Sequence, residues 1–200
     1  ALVGLCGMIG DVAAEANKLR AAKQFGLGYV QYMIMEDRQL VEKHAKAAGL
    51  GDVKAEFNQF RSSDVMNDAL LSGSVDFVCL GIPGIITIWS KTKGMPIEVR
   101  AASGLNVSPL ILLARDPAIK SIKDFGQNDK IAVPTVKVST QAIVLQIAAS
   151  EAFGADQWSK LDPNTVQLGH PDAYVAMTNT QHEVRNHFAI PPFTFLELKN

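Results

Sequence analysis

The chain is short of cysteine, of aromatic residues and of any excess of one charge. Its two cysteines, Cys6 and Cys79, allow at most one bridge. Neither sits in a CxxC or a Cys/His cluster, which excludes a disulfide-stapled scaffold and argues against structural zinc. With 19 basic and 20 acidic side chains the net charge is −1, so a broad basic face for nucleic acid is not expected. HExxH, DxDxDG and GxxxxGK signatures are all missing, and Gly26-Leu27-Gly28 is too short a glycine signal for a dinucleotide site. His44, His170, His182 and His187 show no spacing that reads as a Ser/His/Asp arrangement. No catalytic residue, metal ligand or cofactor is therefore assigned. What is present is ordinary globular composition: 200 residues, 48% hydrophobic and 20% charged, enough for one full domain or two small ones.

The N-terminus reads as a processing segment. Residues 1–12 are apolar and glycine-rich with Asp11 as their one charge, and they are too short to span a bilayer. Ala14-Glu15-Ala16 fits a small-x-small cleavage pattern, so residues 1–16 read as the remnant of a secretory signal, with Asn17 first in the mature chain. Cleavage there would shift the net charge to +1 and remove Cys6, leaving Cys79 as a small core residue. The starting Met and the basic n-region of a signal are absent, and the competing reading is a buried apolar segment.

From Lys18 onward the hydrophobic period alternates between two and 3.6. Strands are predicted at residues 18–24, 53–59, 75–80 and 97–102. Helices lie between them: one with Val30, Met33, Ile34, Leu40, Val41, His44, Ala45 and Ala48 on one face, one with Val65, Met66, Ala69 and Leu70 inward, and a short one over 85–91. Residues 103–108 break the rhythm and a second series follows. Its strands are predicted at 109–114, 130–133, 165–168 and 184–189. Its helices are a short one over 119–125, a long one capped by Ser139 with Ile143, Val144, Ile147 and Ala148 inward, and one after Pro171 with Ala173, Val175, Ala176 and Met177 inward. Such alternation implies mostly parallel sheets flanked by helices, in two lobes spanning residues 17–105 and 106–200. Trp89 and Trp158 read as packing residues, and Lys91-Thr92-Lys93 and Arg185 as solvated surface.

Parallel sheets take ligands beyond the C-terminal ends of their strands. Loops at Gly81–Gly84, Val136–Gln141 and Ile190–Phe193 occupy such positions, with Asn106 and Ser108 at the crossover. Each has a plain structural reading as well. Gly81 and Gly84 supply turn geometry and Pro83 starts a helix. Ser139 and Thr140 cap a helix, though free N–H groups behind them also suit an anion. Pro191-Pro192-Phe193 is either a rigid turn with Phe193 in the core or an exposed aromatic that stacks on a ligand. His170 with Asp172, and His182 with Glu183, read as surface or capping groups.

Five segments in order carry a resemblance: Ala69-Leu70-Leu71-Ser72-Gly73-Ser74-Val75-Asp76-Phe77, Gly81-Ile82-Pro83-Gly84, Ile119-Lys120-Ser121-Ile122-Lys123-Asp124-Phe125, Asp129-Lys130-Ile131-Ala132-Val133-Pro134 and His187-Phe188-Ala189-Ile190-Pro191-Pro192-Phe193. Together they resemble the periplasmic solute-binding proteins of ABC importers for nitrate, sulfonate and taurine, the group that includes thiamine-precursor-synthesis-like proteins. The resemblance implies an α/β type II periplasmic-binding fold whose two lobes close on a small solute, with the family's returning C-terminal segment missing from this chain. It implies ligand contacts at Gly28, Tyr29 and Gln31, at Gly81, Ile82 and Pro83, at Asn106 and Ser108, at Ser139, Thr140 and Gln141, and at Pro191, Pro192 and Phe193. The expected solute is a small organic anion of sulfonate or taurine type, or a neutral heteroaromatic, rather than nitrate. The expected partner is a membrane permease, the expected state an exported periplasmic monomer. Two alternatives remain: the pyrimidine synthase of thiamine biosynthesis, disfavoured by the lack of a cysteine cluster, and the effector domain of a transcription regulator.

Overall fold

The computed structural model describes residues 17–199. The signal reading of residues 1–16, and Cys6 with it, lies outside the described residues.

The first sheet has three parallel strands. β1 (Lys18–Lys23) is central, between β2 (Lys54–Gln59) and β3 (Phe77–Val78), in the order β2-β1-β3. Lys18 pairs with Lys54 and Ala21 with Phe77. The central position agrees with burial: Ala21 and Ala22 are sealed, and small side chains there let α3 (Ser63–Leu71) pack closely through Met66. Arg20 secures the β1–β3 edge with a forked contact to Asp76, Nη2 to Oδ1 at 2.7 Å and Nε to Oδ2 at 3.1 Å. Lys23, nearly buried at the end of β1, pairs with Glu36 of α1 (Val30–Asp37).

The second sheet has four strands in the order β4-β7-β5-β6: β4 (Ile111–Ala114), β7 (Val184–Ala189), β5 (Lys130–Val133) and β6 (Thr165–Gln167). β5 pairs in parallel with both neighbours, and β4 runs antiparallel to β7. Strand alternation sorts β5 between two cores. Ile131 and Val133 pack with Leu145 and Ala149 of α5 (Thr140–Phe153), Leu161 and Phe188, while Ala132 packs with Ala173 and Ala176 of α6 (His170–Thr178) and Val184. A bulge at Lys130/Ile131 frees a carbonyl that accepts from Asn186 Nδ2 at 3.0 Å. Past α6, Arg115 fans out to the carbonyls of Met177, Asn179, Thr180 and His182 at 2.6–3.4 Å, satisfying the helix C-terminus.

Several expectations need correction. The helix predicted from Val30 to Ala48 is two helices, α1 and α2 (Leu40–Ala47), because Gln39 adopts a left-handed φ of 50°. Residues 97–102 form no strand: the sheet edge at β3 is only two residues long and offers no ladder, so Val99 N–H donates to Thr92 Oγ1 instead. The helix over 119–125 shrinks to a 3-10 turn, Ile122–Asp124, closed by a capping box between Ser121 and Asp124. The helix after Gly81, α4 (Ile82–Thr92), begins earlier than predicted, with Pro83 in its first turn. Inward faces were partly misassigned. Val65, Ile147 and Val175 are exposed, and α5 buries Gln141, Ala142, Leu145 and Ala149. The misassignment follows from α5 being apolar around much of its circumference, so period alone does not pick a face. Trp89 and Trp158 are exposed, and Thr92 is buried through its hydrogen bond to Ile88 O at 2.8 Å.

An apolar groove of about 890 Å³ runs along the first sheet, lined chiefly by Leu19, Met35, Leu40, Val41, Ala45 and Phe77. Half of Phe77 is exposed there.

Leu145→Ala, at a fully sealed position, is expected to cost about 3 kcal/mol in chemical denaturation. Val175→Ala is expected to stay within about 0.5 kcal/mol. Equal costs would return α6 to the orientation its sequence suggests.

Candidate functional site

The two sheets meet through their helix N-termini. α3 and α4 of the first lobe face α5 and α6 of the second, as sheets with parallel strands and short crossovers require. The seam is drawn by contacts far apart in sequence. Leu27 N–H donates to Pro191 O at 2.9 Å, Thr135 Oγ1 to Asp64 Oδ1 at 2.9 Å, and Arg61 Nη1 to Asp172 Oδ2 at 2.8 Å. Two glycines let the backbones approach. A Cβ on Gly81 would stand 2.0 Å from Thr140 Oγ1, and one on Gly26, whose φ is +121°, 2.8 Å from Ile190 Cδ1.

The expected residues fall on this seam or beside it in different ways. Gly28 O accepts from Asn106 Nδ2 at 2.6 Å, and Gln31 Nε2 donates to Leu105 O at 3.0 Å, so the crossover is tied down onto the first-lobe loop. Ser108 is partly buried just beyond it. Tyr29 is partly buried, and burial, with smaller effects of Cys79 and Tyr32, raises its phenol well above the usual range. Gly81 and Pro83 open α4, while Ile82 is 72% exposed. Ser139 is buried and its Oγ accepts from Ala142 N–H at 3.2 Å, which commits it to the cap. Thr140 lies against Gly81. Pro191 and Pro192 share a cis peptide bond, and Pro191 meets Leu27. Phe193 does not stand free. It stacks on His170 with centroids 5.8 Å apart and touches Tyr174.

Sequence reasoning missed the acidic and histidine components. Asp64 lies in the first turn of α3, where an acid reads as a partner of the helix dipole. Burial raises its carboxyl, but hydrogen bonds from Ser62, Thr135 and the N–H groups of Asp64 and Val65 outweigh this and hold it below the ordinary aspartate value. His170, read as a surface or capping group, and His187, within the strand predicted at 184–189, are both buried. Gln141 Nε2 lies 3.2 Å from His170 Nε2, His170 Nδ1 2.9 Å from His187 Nε2, and His187 Nδ1 2.6 Å from Glu197 Oε1 on α7 (Phe193–Glu197). Burial, then the neighbouring His187, pushes His170 down to about 3, so this ring is neutral at physiological pH. Nothing in the spacing of 141, 170, 187 and 197 announces the chain, which exists only once four elements pack. Cys79 is a free, partly buried thiol that burial pushes up to about 11. Among the described residues no group of three His, Cys, Asp or Glu could hold a metal, and no helix is long and apolar enough to cross a membrane.

No protein-family model matches the chain, and no curated protein matches it by sequence. Solved structures do. The periplasmic aliphatic sulphonate-binding protein SsuA of Escherichia coli aligns with a TM-score of 0.55 at 23% identity. The alkanesulfonate-binding SsuA of Xanthomonas axonopodis pv. citri, bound to MOPS, aligns at 0.62 and 18%. The zinc-bound ligand-binding component of an ABC-type import system from Staphylococcus aureus aligns at 0.59 and 16%. Each alignment covers 91% of this chain and 57% of the other. The chain therefore has the two-lobed α/β fold of ABC-importer solute-binding proteins, over somewhat more than half their length.

Gly81→Val is expected to wedge the seam open at a cost of about 1–3 kcal/mol and to raise the radius of gyration in small-angle scattering. Adding Thr140→Gly should restore compaction, and an unchanged radius in the single variant would show that the seam is not closed in solution. Because the folded value of Asp64 is depressed, its contact with Thr135 is complete above the ordinary aspartate pKa of about 4 and is lost as pH falls through the folded value. Melting across pH should show the wild type losing ground to Asp64→Asn as pH falls below about 4, with no further loss once the folded value is passed.

Proposed function

We propose that the chain is the solute-binding part of an ABC-type importer, exported to the periplasm, and that it holds a small organic anion of the sulfonate class between its lobes. The observation that carries this reading is the meeting of α4 and α5 across Gly81 and Thr140. α4 has neither a side-chain cap nor an acid in its first turn, and α5 likewise has no acid there. Their N-termini converge with unfilled N–H groups and positive dipole ends, and an anion satisfies both. α3 and α6, by contrast, carry Asp64 and Asp172 in their first turns. Arg61, which reaches the seam, is engaged by Asp172, so backbone N–H groups and Thr140 carry the recognition.

The fold likeness supports a receptor rather than an enzyme, since the similar structures are transport components. A solute bridging both lobes stabilises the closed arrangement and presents both lobes to a permease. Tyr29 of the first lobe follows the Gly28 carbonyl that Asn106 ties down, and Pro191 of the second lobe meets Leu27 across the seam.

The test is a thermal-shift titration with ethanesulfonate, 2-aminoethanesulfonate, nitrate and acetate. A solute that binds the folded chain raises its stability by about 2.7 kcal/mol at a hundredfold excess over Kd. Sulfonates should shift the melt and nitrate should not. A shift with nitrate alone would refute the assignment.

A further inference from the structure

The buried chain Gln141–His170–His187–Glu197 joins the seam to the far side of the second lobe. Gln141 and His170 lie in the first turns of α5 and α6, and Glu197 lies on α7 beyond β7. Gln141 is 7% exposed, His170 3% and His187 0%, and the Glu197 side chain 2%. Polar groups this deep must meet partners of opposite hydrogen-bonding sense.

That requirement orients the whole chain. A carboxylate only accepts, so His187 Nδ1 carries a proton and donates to Glu197 Oε1. In a neutral ring the other nitrogen then accepts, so His187 Nε2 takes a hydrogen bond from His170 Nδ1–H. His170 Nε2 is left as an acceptor, and the one group facing it is the Gln141 amide, which must turn its NH2 inward. Among the described residues the Gln141 side chain bonds His170 alone, so its amide oxygen is the free end of the chain. An imidazolium at His187 would reverse everything beyond it: His170 would accept on Nδ1, donate from Nε2, and draw in the Gln141 oxygen. The structure sets Gln141 Nε2 rather than its amide oxygen against His170 Nε2, which is the arrangement that goes with a neutral His187 ring. The ionisable groups hydrogen-bonded to His187 are His170 and Glu197. On the elements packed against this part of β7, Lys130 lies on β5, Asp172 and Tyr174 lie on α6, and Glu151 of α5 lies across the sheet on the Phe188 face.

We propose that Glu197 is a positioning residue that acts through His187 and His170 to hold the Gln141 amide oxygen outward, so that the seam favours a solute carrying a hydrogen-bond donor. This rests on the reading of the seam as the solute site. The anionic end of such a solute meets the N-termini of α4 and α5, and its donor meets Gln141. An amino-substituted organic anion has both features.

The test uses the full chain with 15N-labelled histidine and long-range proton–nitrogen correlation. Both rings are expected neutral with the proton on Nδ1, and a proton on Nε2 of His170 or a charged His187 overturns the assignment. Glu197→Gln keeps the shape but can donate as well as accept. It is expected to give mixed tautomers at both rings and to move the Gln141 side-chain amide signal, three side chains away. Unmoved signals in that variant overturn the role of Glu197. These spectra need no solute, so they stand even if the receptor reading fails. In calorimetry 2-aminoethanesulfonate is expected to bind about tenfold more tightly than ethanesulfonate, the worth of one added hydrogen bond. Equal affinities overturn the donor preference.

Discussion

Four helices have to bring their N-termini to one seam, and the missing side chain at Gly81 is what lets two of them do so. Helix starts carry unfilled N–H groups and like partial charges, so bringing them together is unfavourable unless something intervenes. The protein deals with the four ends in two ways. Asp64 and Asp172 supply negative charge to two of them and are themselves engaged across the seam by Thr135 and Arg61. The remaining pair, at Gly81 and Thr140, has no acid. A side chain larger than hydrogen at Gly81 would separate that pair, and with it the loop contact of Leu27 with Pro191 and the alignment of everything between.

The second lobe shows how a polar chain is tolerated inside a small core. β5 divides its side chains between two apolar clusters, and β7 does the same with Phe188 on one face and His187 on the other. The apolar face packs on α5. The polar face is covered by α6 and α7, whose Phe193 ring lies flat on His170 and keeps water away. The histidines are therefore part of the packing as well as of the hydrogen-bonded chain.

Much of the architecture was legible from residue order. The alternation of periods announced the strands and helices, and Ser139 and Gly154 bound α5 where turn and cap chemistry placed them. Failures have a common cause in tertiary context. Residues 97–102 have strand-like letters but no partner, and a strand without a ladder is not a strand. Gln39 turned one periodic helix into two through a backbone angle that nothing in the local pattern demanded. The loops of the candidate site could be located from sheet geometry, because a parallel sheet dictates which ends are open. Their roles could not: Ser139 spends its hydroxyl on its own helix, Phe193 on a histidine, and Asn106 on Gly28.

The two lobes are sealed to very different degrees. Three buried side chains, Ala22, Met66 and Val75, anchor the first, where an apolar groove lies open along β1; six residues from Ile131 to Phe188 anchor one face of the second alone. Amide protons exchange through the cheapest opening available to them. Those of β1 and β2 should therefore exchange while those of β5, β7 and α5 are still held, and the seam comes apart as often as the first lobe does, rather than as often as the whole chain.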